Sequence, residues 1–440
     1  MQIMRKKILL FAFIHFIFIN FAQASNEELG TKLPSYTVIP FILMLLAISI
    51  LPFIVPRFWG NNRNKFYISL ILAFPVMIYY LMHSPFSLYG AISEYLSFII
   101  LLASLYIISG GILLTGDLTA TPQINTLVLL AGSILASFIG TTGASMLLIR
   151  PILKINSERT NVKHTVIFFI FLVSNIGGCL TPLGDPPLYL GYLHGVPFSW
   201  TFKLFPNWLF MVGSVLLVYY LYENYLWKKE PAFAKEREKL IIRPLGFLGY
   251  INIFLLAGII ICTAFLPFSP YREVIMILLA YVSIKITPIA CRKGNDFTYN
   301  PIIEVAVLFL GIFLTMIPAL DILKARGAQF GITKAWHFFW AAGGLSSFLD
   351  NAPTYLTFLS LAQGLKLPSQ IAGISEEILK AISLGAVFMG ANSYIGNGPN
   401  FMVKSIAEER GVQMPSFFSY MIYSILILLP LFFLHMLIFL

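Results

Sequence analysis

Apolar stretches close to 20 residues long follow one another from Tyr36 to the C-terminus, and nothing else constrains the fold of this chain as strongly. A helix needs about 20 apolar residues to cross the ~30 Å hydrocarbon core. Lipid offers no partner to an exposed backbone group, so helices are the spanning form such stretches favour. We read spans near 36–56, 66–83, 91–115, 164–195, 204–226, 245–266, 273–290, 302–323, 378–402 and 416–439, with longer apolar regions at 124–153 and 335–361. Only 11% of the residues are charged, against about a quarter in a soluble domain. The net charge of +10 is not a nucleic-acid footprint, because the Lys and Arg residues sit in short loops between spans. There they report orientation instead. The expectation is an all-α polytopic membrane protein, surrounded by a lipid bilayer and with no nucleic-acid partner.

Residues 1–24 have the layout of a secretory signal peptide: a basic start to Lys7, an apolar run from Ile8 to Phe21, then Ala22-Gln23-Ala24. An uncleaved first span is the other reading, and downstream topology is the same in both. Cys179, Cys262 and Cys291 show no pairing or ligand spacing and read as small apolar fillers. The six histidines are scattered, so no metal site is expected. There is no phosphate loop and no nucleophile–base constellation, which speaks against ATP coupling and against an enzyme.

Residues 124–153 are too long for one straight span, and their centre reads Gly140-Thr141-Thr142-Gly143-Ala144-Ser145. Small polar residues and two glycines there predict a re-entrant hairpin. Residues 335–361 repeat the design around Asp350-Asn351-Ala352-Pro353-Thr354. Treating both as hairpins puts roughly twice as many Lys and Arg residues on the cytoplasmic side as outside, as the positive-inside rule requires. The cytoplasmic set includes Lys154, Arg159, Lys163, Lys228 and Arg410, and the external set includes Lys203, Arg272 and Lys334. Each half then has five crossings, one re-entrant hairpin and a broken helix. An odd number of crossings makes the halves an inverted-topology repeat, 36–226 and 245–440, joined by a basic cytoplasmic linker at 227–244.

The broken helices are Ser174-Asn175-Ile176-Gly177-Gly178-Cys179-Leu180-Thr181-Pro182-Leu183-Gly184-Asp185-Pro186-Pro187 and Gly390-Ala391-Asn392-Ser393-Tyr394-Ile395-Gly396-Asn397-Gly398-Pro399-Asn400. No continuous helix survives that density of Gly and Pro. Paired interruptions in two halves point to a transporter's binding site. Freed carbonyls and Asn, Ser and Thr side chains suit a dehydrated small cation. A carboxylate at bilayer depth costs at least ~2.5 kcal/mol and usually marks an ion or proton path. Asp350, at a hairpin centre, is the first choice, and it also suits the N-cap of the hairpin's second arm. Asp185 is the second, and it also suits a turn before two prolines. Glu94, Glu304 and Asp321 read as interfacial charges, and Lys285 as a snorkelling one.

The stretches GTTGASMLLIRP (140–151), SNIGGCLTPLGDPPLYLGYL (174–193), SSFLDNAPTYLTFL (346–359) and GANSYIGNGPNFMV (390–403) resemble the ion transporter superfamily. That superfamily includes NhaD-type sodium/proton antiporters, citrate and dicarboxylate carriers, and arsenite permeases. The resemblance implies two hairpin tips and two unwound helices around ions and substrate, with a moving transport domain, often in a homodimer. It implies a multi-pass protein of a bacterial inner membrane. It places Thr141, Thr142, Ser145, Asn175, Thr181, Asp350, Asn351, Thr354, Asn392, Asn397 and Asn400 around the site. Dicarboxylate carriers of the family carry Ser-Asn-Thr at both tips, where this chain has Thr-Thr-Gly and Asp-Asn-Ala. Asp185 falls where many relatives have Asn.

A carboxylate at a tip opposes an anionic substrate, and no Arg lies in the four motifs to hold one bidentately. The leading expectation is therefore a sodium/proton antiporter working by alternating access, with Asp350 shared by cation and proton. Sodium and proton are its transported species, with no cofactor. The alternative is sodium-coupled citrate or dicarboxylate uptake, or arsenite-type oxyanion export.

Overall fold

The computed structural model describes residues 29–231, 243–266, 270–368 and 370–440. The signal-peptide segment, 1–24, and the centre of the basic linker, 232–242, lie outside the described residues. Counting helices of eight residues or more, the order is α1 (Ile39–Ile54), α2 (Asn62–His83), α3 (Pro85–Ser109), α4 (Pro122–Ile139), α5 (Thr141–Ile155), α6 (Lys163–Leu172), α7 (Pro186–Leu193), α8 (Phe205–Lys229), α9 (Ile251–Phe265), α10 (Tyr271–Ile286), α11 (Asn300–Thr315), α12 (Ile317–Arg326), α13 (Ala335–Ser346), α14 (Asn351–Gln363), α15 (Glu376–Met389), α16 (Gly398–Glu409) and α17 (Phe417–Phe439). Among the described residues six helical segments are long and apolar enough to span a bilayer, seven if the bent pair α11–α12 is one span. The protein is a multi-pass membrane protein of all-α class. Its one sheet among the described residues is an antiparallel ribbon of β1 (Leu113–Asp117) and β2 (Arg243–Leu248).

The chain divides into two compact units that cut across the sequence halves. The first comprises residues up to 99, 303–333 and 356–374. In it α2 buries one narrow stripe, Lys65, Ser69, Ala73, Val76 and Tyr80, at three- and four-residue spacing. Its other faces carry large apolar side chains outward, Ile71 at 70% exposure and Met82 at 76%. The stripe packs with Leu33, Leu88, Leu314, Ile317 and Ile322. Asp321 departs from its interfacial reading. It is buried, and the Tyr80 phenol donates to its Oδ2 at 2.7 Å. Glu304 stays half-exposed and pairs with Lys65 at 2.6 Å.

The second unit comprises 100–302, 334–355 and 375–440. Its α4 and α5 form the first hairpin. The turn is Gly140, at φ +83°, and the arms fold back so closely that a Cβ on Gly132 would stand 3.0 Å from Leu148. The second hairpin region also breaks as expected, between α13 and α14 at Ser347–Asp350. The helices leading into the unwound segments, α6 and α15, are enclosed: every residue of α6 from His164 to Leu172 is buried, and so is α15 from Ala381 to Met389. A helix buried all round belongs inside a bundle. By contrast α17 buries only the stripe Tyr420, Ser424, Leu428, Phe432 and His435. The three cysteines are buried and free, as fillers would be.

Three features depart from the sequence reading. The expected span 302–323 bends by 43° between α11 and α12, where Pro318 opens the second helix. The ends of the expected spans 91–115 and 245–266 are the two strands of the ribbon. Arg272, read as an external charge, is buried and paired with the buried Glu273 at 2.6 Å.

Candidate functional site

The two unwound segments are built alike. In the first, a Cβ on Gly184 would lie 2.1 Å from the Gly178 carbonyl oxygen. In the second, a Cβ on Gly396 would lie 2.5 Å from the Gly390 carbonyl oxygen. Backbone crosses backbone at each point, which only glycine permits. Between the glycines a hydroxyl staples the segment to the end of a hairpin arm. The Thr181 hydroxyl donates to the Ser137 carbonyl and accepts the Leu183 N–H at 3.1 Å. The Ser393 hydroxyl donates to the Ser347 carbonyl and accepts the Gly396 N–H at 3.1 Å. The correspondence runs at one constant offset, pairing Gly178 with Gly390, Thr181 with Ser393, Gly184 with Gly396, and Asp185 with Asn397.

Those last two equivalents touch. Asn397 Nδ2 donates to Asp185 Oδ1 at 3.0 Å and to the Ser174 carbonyl at 3.0 Å. The hairpin tips reach the same carboxylate: Thr141 Oγ1 donates to Oδ1 at 2.8 Å, and Asn351 Nδ2 to Oδ2 at 2.5 Å. Contact between equivalent residues is what a two-fold axis produces. Asp185 is 1% exposed, and among the described residues no cationic side chain pairs with it. Hydrogen bonds to a charged group contribute about 1.5–3 kcal/mol each. Three of them outweigh the ~2.5 kcal/mol insertion penalty but leave the charge itself uncancelled.

Asp350 stands elsewhere in the design. It is half-buried; its Oδ1 accepts the Ala352 N–H at 3.0 Å, and its carbonyl accepts the Thr354 hydroxyl at 2.9 Å. Its side chain caps α14 and sets the position of the neighbouring Asn351. Thr181 and Thr354 serve the backbone, and Thr142 is half-buried outside the carboxylate cluster. Ser145 meets Ser174 hydroxyl to hydroxyl at 2.9 Å.

Among the described residues four buried amide oxygens have no hydrogen-bond donor, and three of them, Asn175 Oδ1, Asn351 Oδ1 and Asn392 Oδ1, belong to the unwound segments and the second hairpin tip, the fourth being Asn207 Oδ1. Chemistry fixes their orientation. Asn351 must turn its NH2 to the carboxylate. Asn400 spends its NH2 on the Gly390 and Ser393 carbonyls, each at 2.9 Å, so its oxygen accepts from Asn175 Nδ2 at 2.7 Å. Ser347 donates to carbonyls, so it accepts from Asn392 Nδ2 at 2.9 Å. What remains in each case is a bare oxygen, the ligand type a hard cation takes. Sequence reasoning missed Ser137, Ser174, Ser347 and Ser393. Their signal was weak, since each is one small polar residue whose partner lies far along the chain, such as Gly177 for Ser137 and Asn397 for Ser174.

No functionally curated protein matches the chain. A protein-family model described as "Putative citrate transport" matches residues 30–440, nearly the whole described length. Matched hairpins, paired helix breaks and a buried polar centre accord with that match, and the chain belongs to this family of membrane transporters.

Proposed function

We propose that the protein is a sodium/proton antiporter working by alternating access, with cation and proton competing for the Asp185 centre. One observation carries the reading: a buried carboxylate is met by three neutral donors and, among the described residues, by no positive charge. Such a group is neutralised by one proton or by one monovalent cation, and by only one at a time. Competition of that kind couples the two fluxes without further machinery. The undonated oxygens of Asn175, Asn351 and Asn392 would complete the shell of a bound sodium. Within this scheme Asp185 is the shared carboxylate, and Asp350 positions Asn351 by capping α14.

The family description names citrate transport, and the second reading is cation-coupled uptake of citrate or a related carboxylate, or export of an oxyanion. Sodium would then neutralise Asp185 and recruit the anion to the hydroxyls and amides of the hairpin tips. Proteoliposomes separate the two. Antiport predicts that sodium collapses a preset pH gradient and that Asp185→Asn abolishes the collapse, while Asp350→Asn keeps a large part of it. Citrate uptake driven by sodium, with no sodium/proton exchange, would replace the first reading by the second. Neither activity under sodium, lithium or potassium would remove both.

A further inference from the structure

A polar cavity of about 690 Å3 opens where the loop from α5 to α6 meets the loop from α16 to α17. It shares no residue with the Asp185 cluster. Lys154, Arg159, Lys163 and Arg410 line it, and among the described residues no carboxylate does. Arg159 is only 7% exposed, unlike the loop charge the sequence indicated. Its Nη1 donates to the Ala120 carbonyl at 2.8 Å and to Glu223 at 2.9 Å, while its buried Nη2 meets no acceptor among the described residues. Two buried carboxylates already hold this guanidinium: besides Glu223, Glu230 Oε2 lies 3.4 Å from Arg159 Nε. Glu223 takes His164 Nε2 at 2.5 Å and Asn125 at 3.1 Å. Glu230 takes the Thr160 N–H at 2.6 Å and its hydroxyl at 2.9 Å. The start of α6 lies in the same wall: Val162, Lys163 and His164 line the cavity, and no side chain caps their end of the helix. Tyr222, Leu226 and Ile167 supply an apolar flank.

We propose that this cavity binds a phosphate oxyanion. A spare guanidinium donor, dispersed ammonium groups and an uncapped helix N-terminus together match a tetrahedral, multiply accepting anion. The sequence assigns these loops to the cytoplasmic side, where basic pockets between helices meet anionic headgroups. The phosphate is therefore that of an anionic phospholipid or free inorganic phosphate.

The test uses the full chain and the exposed variants Lys163→Gln and Arg410→Gln, because removing Arg159 would strand two buried carboxylates. The midpoint of thermal unfolding is followed in two arms at constant ionic strength. One arm titrates inorganic phosphate against chloride in phosphatidylcholine nanodiscs. The other raises the phosphatidylglycerol fraction of the nanodiscs. A saturable rise is expected, with each variant weakening it about fivefold, the worth of one basic residue near an anionic surface. A rise with inorganic phosphate names the free ion as a ligand, and a rise with phosphatidylglycerol alone names the headgroup. No rise in either arm, a rise that chloride reproduces, or one that both variants leave unchanged overturns the proposal.

Discussion

A carboxylate in this chain is tolerated by the donors that find it. Asp321 relies on one phenol, and Tyr80→Phe leaves its Oδ2 without that donor. The loss should destabilise the protein by about 1–3 kcal/mol, read as a lower unfolding midpoint in detergent. Asp321→Asn combined with Tyr80→Phe should cost less than the two single changes added together; strict additivity would mean the contact carries nothing. Asp185 gathers three donors instead, and those come from residues 141, 351 and 397. Sequence reading identified all four residues as site members. It ranked Asp350 first because depth in an apolar run is visible locally, whereas convergence of distant donors is not.

The elements that carry the site depend on two backbone crossings. Gly184→Ala and Gly396→Ala would each drive a methyl group into a carbonyl oxygen. We expect each to cost about 1–3 kcal/mol or more and to depress transport. Gly213→Ala in α8, where nothing lies within 4 Å of the added carbon, should leave folding and transport intact. Thermal unfolding of the three variants decides it, and equal losses would remove the crossing argument. These elements were legible in the sequence because Gly and Pro act locally and twice over. The β1–β2 ribbon was not, since each strand is a short apolar piece that gains its hydrogen bonds only from the other, far along the chain. The bend at Pro318 was overlooked for a different reason: one proline near a helix start is ordinary, and only the angle between α11 and α12 shows the break.

At the scale of the molecule, the spacing of apolar runs indicated an all-α membrane protein, but not that its compact units interleave the two halves. Sidedness is open to direct measurement. In a background lacking Cys179, Cys262 and Cys291, cysteines at positions 157 and 228 should react with an impermeant maleimide from one face, and those at 203 and 334 from the other. All four reacting from one face would defeat the inverted repeat. The meeting of Asp185 with Asn397 carries a consequence for how such a chain arises. Duplication of an acidic ancestor would set two carboxylates against each other at hydrogen-bond distance, where both cannot ionise. Asn397→Asp would build that dyad, one proton locked between two acids. The exchange proposed for Asp185 requires a single acid there, and an amide at position 397 meets that requirement.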